Sequence, residues 1–581
     1  MKLGLSVLLV LLCGIAVAQA ADWGYQGGDA GMTKYSADNL PDGVFQQVYS
    51  KRFYSKYSAD INAAYNIATS VLIRGGQAWI ISNDAPDNGN WYSPVVATKF
   101  DYTTGTTVTH SNLPGYSIGS KSFHANQNNA EIDSNHFNFP AVWAADGRMY
   151  ARRGGDQRCI GAMDTTTGSW TMLPADGAAQ AAAWAGDAAA FINVYGNKLL
   201  YVGGDTRDNW PYAACDISPT AWGSGMQGKY SFPVSIESPF PGGSGQFYDG
   251  LRHGDIPKAA DNIAVVASWS TDAAFTHKMY LTATNLSTGQ KAWGKNYAND
   301  NAGATGFYTC TADYWRFVAT EDGNYAYFVR NGGQTQLHIA DITTGTDKVS
   351  QALAANSDPI MGYNQNFLYV VSATQQMKIN ATTGAIAWQT ANNFTSDNGY
   401  TPWEDPTYKP MVLTNDTMWF VDGSTMGNGH LIGMRTSDGA VIQNIDLAAL
   451  VTGKNANERL IAVTDLVEAN GLLGVLLDVG DVTDPNYNTT SKIKYQDLYT
   501  FGSSLPGDAN RDGKVTFADY IALELGFGTS GGWSAGDFNG DGIVNFKDYI
   551  ILESNFNRGV PEPATMSLVA LGGLAMLKRR K

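Results

Sequence analysis

The chain has 581 residues, of which 44% are hydrophobic and 16% are charged, and its formal net charge at pH 7 is −15. This length accommodates one large domain and a smaller one. The acidic balance argues against nucleic acid as a partner, because phosphate binding needs a clustered basic surface.

The first twenty residues predict a secretory signal peptide. Met1-Lys2 precedes an apolar run over residues 3–17, and Ala18-Gln19-Ala20 supplies the small residues of a cleavage site. We therefore expect residues 1–20 to be removed and the mature protein to be exported.

Residues 21–504 predict an all-β domain. Short apolar or alternating runs recur there between Gly, Asn, Asp and Thr, and no long amphipathic helical pattern interrupts them. Many predicted strands end in a marker, which is an Asp or Asn four residues before Gly, usually with Thr directly before that Gly. The first side chain can cap a tight turn and the Gly accepts a positive φ, so the marker is typical of a hairpin. It occurs at Asp101 and Gly105, Asp164 and Gly168, Asn285 and Gly289, Asp341 and Gly345, Asn380 and Gly384, and in degenerate form at Arg435 and Gly439.

The spacing of the markers predicts a β-propeller. Successive marker glycines lie 63, 121, 56, 39 and 55 residues apart, and the step of 121 fits two units if one marker is missing near Cys215. A last unit without a marker fits residues 471–501. The count is then eight blades, with seven as the alternative because insertions such as residues 231–260 blur it. Radial repetition of small sheets is how a propeller protects its strand edges.

Several markers continue to a tryptophan, as in Asn285-x-x-Thr288-Gly289-x-x-x-Trp293. This pattern resembles the repeat of pyrroloquinoline-quinone-type (PQQ-type) propellers. The opening from Asp22-Trp23-Gly24 to Tyr35-Ser36 resembles the N-terminus of that family, where the first strand helps to close the ring. The dehydrogenases of the family use an adjacent Cys-Cys disulfide beside the quinone, and this chain has no adjacent cysteines. We therefore do not expect PQQ, and the resemblance favours a binding or scaffold protein.

Two polar groups in the predicted propeller are candidates for chemistry. The first group consists of His124, Glu131, Asp133 and His136. We expect these residues to form a polar loop rather than a metal site. The second offers an acid, a base and a cation as a candidate site, and it consists of Tyr248, Asp249, Arg252, His253 and Asp255. These groups are the candidates for catalysis if the protein is an enzyme. A carbohydrate-active hydrolase or lyase is the alternative to a binding protein, and a PQQ-dependent dehydrogenase ranks third.

The pattern D-x-N-x-D-G occurs twice near the C-terminus, with an offset of 29 residues. Calcium takes about six to eight oxygens, and a loop of this kind supplies them from positions 1, 3, 5, 7, 9 and 12, with Gly at position 6. We therefore predict two calcium ions. The predicted ligands are Asp508, Asn510, Asp512, the Lys514 carbonyl, Thr516 and Asp519 for the first ion, and Asp537, Asn539, Asp541, the Ile543 carbonyl, Asn545 and Asp548 for the second.

The flanks of the two loops differ from those of an EF-hand. The residues before each loop are rich in Gly, Ser and Pro, which disfavours an entering helix, whereas residues 520–525 and 549–553 predict exiting helices. A duplicated loop with only an exiting helix resembles the type I dockerin, here over residues 507–556 of a module at 505–559. The resemblance implies folding with calcium, a cohesin-like or other cell-surface protein as partner, and a link to polysaccharide. Positions 10 and 11 are Phe517-Ala518 and Phe546-Lys547, where the family often has small hydroxyl residues.

The last residues predict a sorting signal. Val560-Pro561-Glu562-Pro563 precedes an apolar stretch over residues 564–577 and a basic end at residues 578–581. The stretch is shorter than the about 20 residues of a comfortable membrane span. This order is similar to the PEP-CTERM signal, here over residues 560–581, which implies recognition by exosortase, removal of the segment and display on a Gram-negative-type bacterium. We expect membrane contact only through this segment.

Overall fold

The computed structural model describes the strands of the propeller and the helices of the C-terminal module. The described residues are 22–25, 27–37, 40, 45–54, 71–83, 95–112, 141–153, 159–173, 191–202, 211–216, 230–235, 251–254, 258–271, 277–299, 317–331, 334–353, 360–372, 375–391, 410–425, 428–483, 495–503, 505–530, 533–538 and 543–558. Among them no helix is long and apolar enough to cross a membrane.

The body of the chain is built from meanders of antiparallel strands, which we call units. A first strand, β1 (Gln46–Tyr54), precedes them. The first three units are β2 (Leu72–Arg74), β3 (Gln77–Asn83), β4 (Val95–Asp101) and β5 (Thr107–Asn112); β6 (Ala141–Trp143), β7 (Arg148–Arg153), β8 (Cys159–Asp164) and β9 (Trp170–Leu173); and β10 (Phe191–Tyr195), β11 (Lys198–Val202), β12 (Pro211–Asp216) and β13 (Tyr230–Ser235).

The next units follow the same pattern. The fourth has five strands, β14 (Leu251–Gly254), β15 (Lys258–Ala260), β16 (Ile263–Thr271), β17 (His277–Asn285) and β18 (Lys291–Asn299). The fifth and sixth are β19 (Phe317–Thr320), β20 (Asn324–Asn331), β21 (Gln334–Asp341) and β22 (Asp347–Leu353), and β23 (Ile360–Asn364), β24 (Phe367–Val371), β25 (Gln375–Asn380) and β26 (Ile386–Ala391). The seventh is β27 (Met411–Leu413), β28 (Thr417–Thr425), β29 (Asn428–Arg435) and β30 (Val441–Asp446), and helix α1 (Leu447–Lys454) follows it.

The last unit joins the two ends of the propeller. It contains β31 (Glu458–Ala469), β32 (Leu472–Asp481) and β33 (Tyr495–Gly502), and β1 supplies its fourth strand. β1 runs antiparallel to β33 from Gln46 opposite Gly502 to Tyr54 opposite Tyr495. The outer edge of β33 is therefore covered by the N-terminal part of the chain, which closes the ring.

The described strands confirm an all-β propeller. They form seven hydrogen-bonded sheets, which matches the alternative of seven blades. The largest sheet has eight strands, because β1 of the last unit also pairs with β3 of the first at a single position, Tyr54 opposite Asn83. The last meander and the first therefore share one sheet.

The markers form the hairpins that the sequence predicts. Asp101 Oδ1 accepts hydrogen bonds from the amides of Thr103 at 2.8 Å and Thr104 at 3.0 Å, and Gly105 has φ of +72°. The same bonds occur at Asp164, Asn285, Asp341 and Asn380. In the degenerate copy, Asp438 accepts from Ala440 instead, because Arg435 has no oxygen to offer.

The marker tryptophans pack between neighbouring units. Trp293 Nε1 donates to the carbonyl of Ile342 in the next unit at 2.7 Å, and a Cβ added to Gly345 would lie 2.7 Å from the Trp293 ring. Trp388 donates in the same way to Thr436 at 2.9 Å. The marker glycine therefore serves two purposes, a left-handed turn and a seat for the indole of the preceding unit.

One strand of each unit, the first strand except in the fourth unit, contacts its counterpart in the next unit. We call these the inner strands: β2, β6, β10, β15, β19, β23, β27 and β31. The described residues between 22 and 37, which we call the N-terminal belt, bond to seven of them in chain order. Six inner-strand amides donate to belt carbonyls, namely Ile73 to Trp23, Trp143 to Gly24, Ala259 to Ala30, Ala319 to Gly31, Tyr363 to Thr33 and Leu413 to Lys34. On β10, the side chain of Asn193 donates to Ala30 at 2.9 Å.

The belt lies where the inner strands turn into their second strands, and several of its own side chains are buried. Trp23 and Lys34 are fully buried, and Lys34 Nζ donates to the carbonyl of Met361 at 2.6 Å. A Cβ at Gly31 would lie 2.0 Å from the carbonyl oxygen of Ala319, so only glycine fits there. The opening motif of the sequence therefore joins the inner strands, and the strand that closes the ring, β1, follows it.

A buried ion-pair network holds β1 at the closure. Arg52 on β1 binds both carboxylate oxygens of Glu458, at 2.7 and 2.6 Å, and both of Asp497, at 2.7 Å each. Lys454 of α1 adds a contact to Asp497 at 3.0 Å. The side chains of Glu458 and Asp497 are 2% and 0% exposed, so each carboxylate depends on these cations for its charge balance.

We expect Arg52→Met to lower the free energy of unfolding by about 3 kcal/mol, because two buried carboxylates lose their main cation. Urea unfolding of the mature chain measures this. The matched control is Arg435→Met, which breaks an ion pair with Asp438 whose partners are 39% and 55% exposed. That change should cost at most about 1 kcal/mol. Equal effects of the two substitutions would contradict the assigned role of Arg52.

Candidate functional site

The C-terminal module contains the two predicted exiting helices. They are α2 (Phe517–Gly526) and α3 (Phe546–Asn555), and each begins three residues earlier than predicted. The cause is a capping box in each copy. Thr516 and Asn545 cap the helices, and their own amides donate to Asp519 and Asp548 at 2.7 and 2.9 Å. Before the second loop the described residues show only a 3₁₀ turn at Trp533–Ala535, in agreement with the missing entering helix.

The first loop coils around Asp508, which is fully buried. Asp508 Oδ2 accepts from the amide of Gly513 at 2.8 Å, and Oδ1 accepts from the amide of Asp512 at 3.1 Å. Gly513 has φ of +81°, a conformation that favours glycine. Positions 1 and 6 of the predicted loop are thus joined by a hydrogen bond around a sharp turn.

Negative charges outnumber positive ones around Asp508, because Asp512 and Asp519 lie near it and Arg511 is the one cation among the described residues that acts on it. Burial, and then the negative charges of Asp512 and Asp519, raise the pKa of Asp508 to about 7. Burial also raises the pKa of Asp519. Carboxylates placed together in this way repel one another unless a cation lies among them. The oxygen-rich, acidic loop therefore fits a hard cation such as calcium.

The second loop repeats this geometry where it is described. The amide of Phe538 donates to Asp548 Oδ1 at 2.9 Å, as the amide of Ala509 donates to Asp519 Oδ1 at 2.8 Å. Asp537 and Asp548 are buried, and the Ile543 segment pairs with Ser530. Asn539 and Asp541 lie outside the described residues.

Among the described residues, no three His, Cys, Asp or Glu side chains converge closely enough to hold a metal ion. In the first loop, Asp519 instead directs its oxygens at the amides of Ala509 and Thr516. The predicted calcium ligands are not limited to His, Cys, Asp and Glu side chains, because they also include amide, hydroxyl and backbone carbonyl oxygens. Calcium therefore stays a prediction at both loops.

An aromatic surface crosses the two helices. Phe517 stacks on Tyr520 with ring centres 5.5 Å apart, Tyr520 meets Tyr549 edge-on at 6.4 Å, and Tyr549 stacks on Phe546 at 5.7 Å. Phe517 and Phe546 are 62% and 63% exposed. We call these four rings the aromatic ribbon. It includes Phe517 and Phe546, the residues at position 10 of the two loops, and both lie at the surface.

Most candidates in the propeller fall outside the described residues. These are His124, Glu131, Asp133, His136, Tyr248, Asp249 and Asp255. Arg252 and His253 belong to β14, where the structure gives the strand pairing, with His253 opposite Trp269. Whether these residues form a site therefore stays a prediction.

A polar cluster that the sequence did not indicate lies between the fourth and fifth units. Lys295 Nζ is 2.6 Å from Asp347 Oδ1 and 3.1 Å from the hydroxyl of Tyr327, which is 2.6 Å from the hydroxyl of Tyr297. His338 stacks on Tyr327 at 5.0 Å, with its Nδ1 3.4 Å from Asp347. Tyr327 and His338 are direct partners across β20 and β21, so only the strand register brings them together.

The C-terminal residues match a known sorting motif. Residues 559–581 match the family described as the PEP-CTERM protein-sorting motif. The predicted sorting signal is confirmed, and the chain is an exported, surface-sorted β-propeller protein of the kind processed by exosortase in Gram-negative bacteria. No curated protein matches the chain.

Solved propellers resemble the described fold at low sequence identity. A europium-containing methanol dehydrogenase is 11% identical with a TM-score of 0.50, over 83% of this chain and 98% of its own. Quinohemoprotein alcohol dehydrogenase ADHIIG from Pseudomonas putida HK5 is 12% identical with a TM-score of 0.47, over 83% and 80%. BamB from Moraxella catarrhalis is 13% identical with a TM-score of 0.40, over 78% and 99%. At such identities the first likeness supports the propeller fold alone.

The buried His338 makes stability depend on pH. Burial lowers the pKa of His338 below its usual value of 6.5, although Asp347 opposes the shift. The unfolded chain then binds a proton at this histidine more readily than the folded chain does. The stability that depends on a neutral His338 is therefore complete above pH 6.5 and is lost as the pH falls through the folded-state pKa. Relative to His338→Gln, the wild-type chain should lose up to about 1.4 kcal/mol per pH unit in this range.

Urea unfolding between pH 7.5 and 5 measures the difference. The control His430→Gln changes a histidine that pairs with the exposed Asn444. The same pH dependence in wild type and His338→Gln would show that His338 does not titrate with folding.

Proposed function

We propose that this protein is a binding propeller displayed at the cell surface, with a calcium-folded module between the propeller and the sorting signal. The observation that carries the proposal is the order of three parts. A closed propeller ends at β33, the duplicated acidic loops follow from Asp508, and the sorting motif begins at residue 559, directly after α3. A ligand bound by the propeller would thus be held at the cell surface.

Two calcium ions are the proposed resident metals of the module. In the first loop, Asp508, Asp512 and Asp519 carry like charges close together, and the loop backbone already turns sharply at Gly513. The remaining proposed ligands are the oxygens of Asn510, Lys514 and Thr516, with the equivalent set from Asp537 to Asp548. When bound, calcium would neutralise the carboxylates and let the module fold around a small apolar core formed by Ala509, Val515, Leu523, Phe538, Val544 and Leu552.

The module is also the proposed docking element. The dockerin resemblance suggests a cohesin-like protein at the cell surface, and the aromatic ribbon offers that partner apolar area at position 10 of each loop. Exposed aromatic residues are common at protein interfaces because their rings bury large area with little loss of freedom. The departure from small hydroxyl residues suggests a partner with a more apolar surface.

Polysaccharide is the proposed ligand of the propeller. The resemblance of the module supports this class, since dockerin-bearing proteins commonly act on or bind polysaccharide. The N-terminal belt occupies the end of the ring where the inner strands turn, with Trp23 and Lys34 buried there. We therefore place the binding surface at the opposite end of the propeller.

The mature chain should bind two calcium ions, and Asp508→Asn and Asp537→Asn should each remove one because position 1 loses its charge. Equilibrium dialysis with metal analysis of the purified chain gives the number of ions. The double variant should bind none, and Asp438→Asn, which changes an exposed turn aspartate of the propeller, should still bind two. Wild-type protein that binds no calcium would overturn this part of the proposal.

A thermal-shift screen of the calcium-loaded mature chain tests the ligand. A polysaccharide that binds only the folded propeller should raise its apparent stability by about 2.7 kcal/mol at 100 times its Kd. The same shift should appear in the Asp508→Asn, Asp537→Asn double variant if the propeller carries the site. A rise with PQQ instead, or release of reducing or unsaturated sugar ends, would replace binding by the corresponding enzymatic function.

A further inference from the structure

The first calcium loop, besides folding the module, contacts the closure of the propeller ring. Arg511 is position 4 of that loop and is only 6% exposed, with φ of +58°. Its Nη1 donates to the carbonyl of Ser503, directly after β33, at 3.4 Å. Its guanidinium carbon lies 5.1 Å from the ring centre of Trp533, whose Nε1 donates to the carbonyl of Asp508 at 2.5 Å.

The loop and the last unit approach each other closely. Gly471, in the hairpin between β31 and β32, has φ of +66°, and a Cβ there would lie 2.3 Å from the carbonyl oxygen of Asn510 and 2.7 Å from Arg511 Cβ. A Cβ on Gly502, the last residue of β33, would lie 3.6 Å from Arg511 Cδ. Only glycine at position 471 leaves room for the backbone of the loop.

The contact falls where the two ends of the propeller pair. Gly502 is the partner of Gln46 at the start of β1, and the charge of Arg511 acts on Tyr49 three residues further along β1. Position 4 of the first loop therefore lies against the junction of β1 and β33.

The two loops differ at this position in the sequence. The first has Arg511 at position 4, whereas the second has Gly540. A glycine cannot make the contacts of a buried guanidinium. The second loop thus matches the first as a calcium pattern but lacks the residue that reaches the propeller.

We propose that the first calcium loop is a clamp on the closed ring, in which the bound ion fixes the backbone that carries Arg511 against β1 and β33. The inference rests on the calcium ions of the proposed function. By linkage, an ion that stabilises the clamp also stabilises the closed ring, and the closed ring raises the affinity of the first loop for calcium. The second ion stabilises the module alone.

Hydrogen exchange of the β1 amides in the full mature chain tests the clamp. In wild type, these amides should exchange about 5- to 150-fold more slowly in calcium than in chelator, the range of typical coupling energies. Asp537→Asn should keep this protection, and Asp508→Asn should lose it. Arg511→Ala should also lose it while still binding two ions, with weaker affinity at one site.

A second pair of variants tests the contact without touching a loop residue. Gly471→Ala would place its Cβ into the loop backbone, whereas Gly196→Ala changes a comparable hairpin, with φ of +56°, where an added Cβ meets nothing within 4 Å. Both substitutions strain a left-handed turn, but only Gly471→Ala should abolish the calcium-dependent protection of β1.

The outcomes separate the clamp from the proposed function. Two bound ions with equal β1 protection in wild type, Arg511→Ala and Gly471→Ala would overturn the clamp and leave the calcium module in place. No bound calcium in wild type would overturn the proposed function, and the clamp with it. Protection lost in Asp537→Asn as strongly as in Asp508→Asn would also overturn the clamp, because it requires the first loop alone.

Discussion

A ring of sheets must leave no strand edge open, and the rest of this protein depends on how the chain meets that constraint. An unpaired edge would offer its amides and carbonyls to other chains. Here β1 covers the edge of β33, and Arg52 ties it to Glu458 and Asp497 through two bidentate ion pairs. Because these carboxylates are buried, and Lys454 adds a second cation at Asp497, the closed arrangement is the one in which all four charges are compensated.

The N-terminal residues contribute to the ring twice. The belt first bonds to seven inner strands in their order along the chain, and β1 then closes the last unit. The C-terminal module leaves from the same junction, since Ser503 follows β33 and accepts a bond from Arg511. The sorting motif at residues 559–581 follows this module, so the module separates the motif from the ring closure along the chain.

Local chemistry could be predicted from the sequence, and long-range register could not. An Asp or Asn before Thr-Gly specifies its own hairpin through bonds to the next two or three amides, as at Asp101, so the markers located real turns. The exiting helices followed from composition, although their capping boxes moved each start to Phe517 and Phe546. By contrast, the His338 cluster and the Arg511 contact join residues from strands or segments far apart in sequence. The number of sheets could not be predicted for the same reason, since one long-range pairing, between Tyr54 and Asn83, joins two units into one sheet.

The N-terminal residues hold the inner strands together through these bonds. Native-state hydrogen exchange of the mature chain, compared with a chain that lacks residues 21–37, tests it at the six amides that donate to the belt. These amides should exchange among the slowest in the intact propeller. Without the belt they should exchange much faster, while strand centres such as those of β28 change less. Equal protection of the six amides in both chains would show that the belt does not hold the inner strands together.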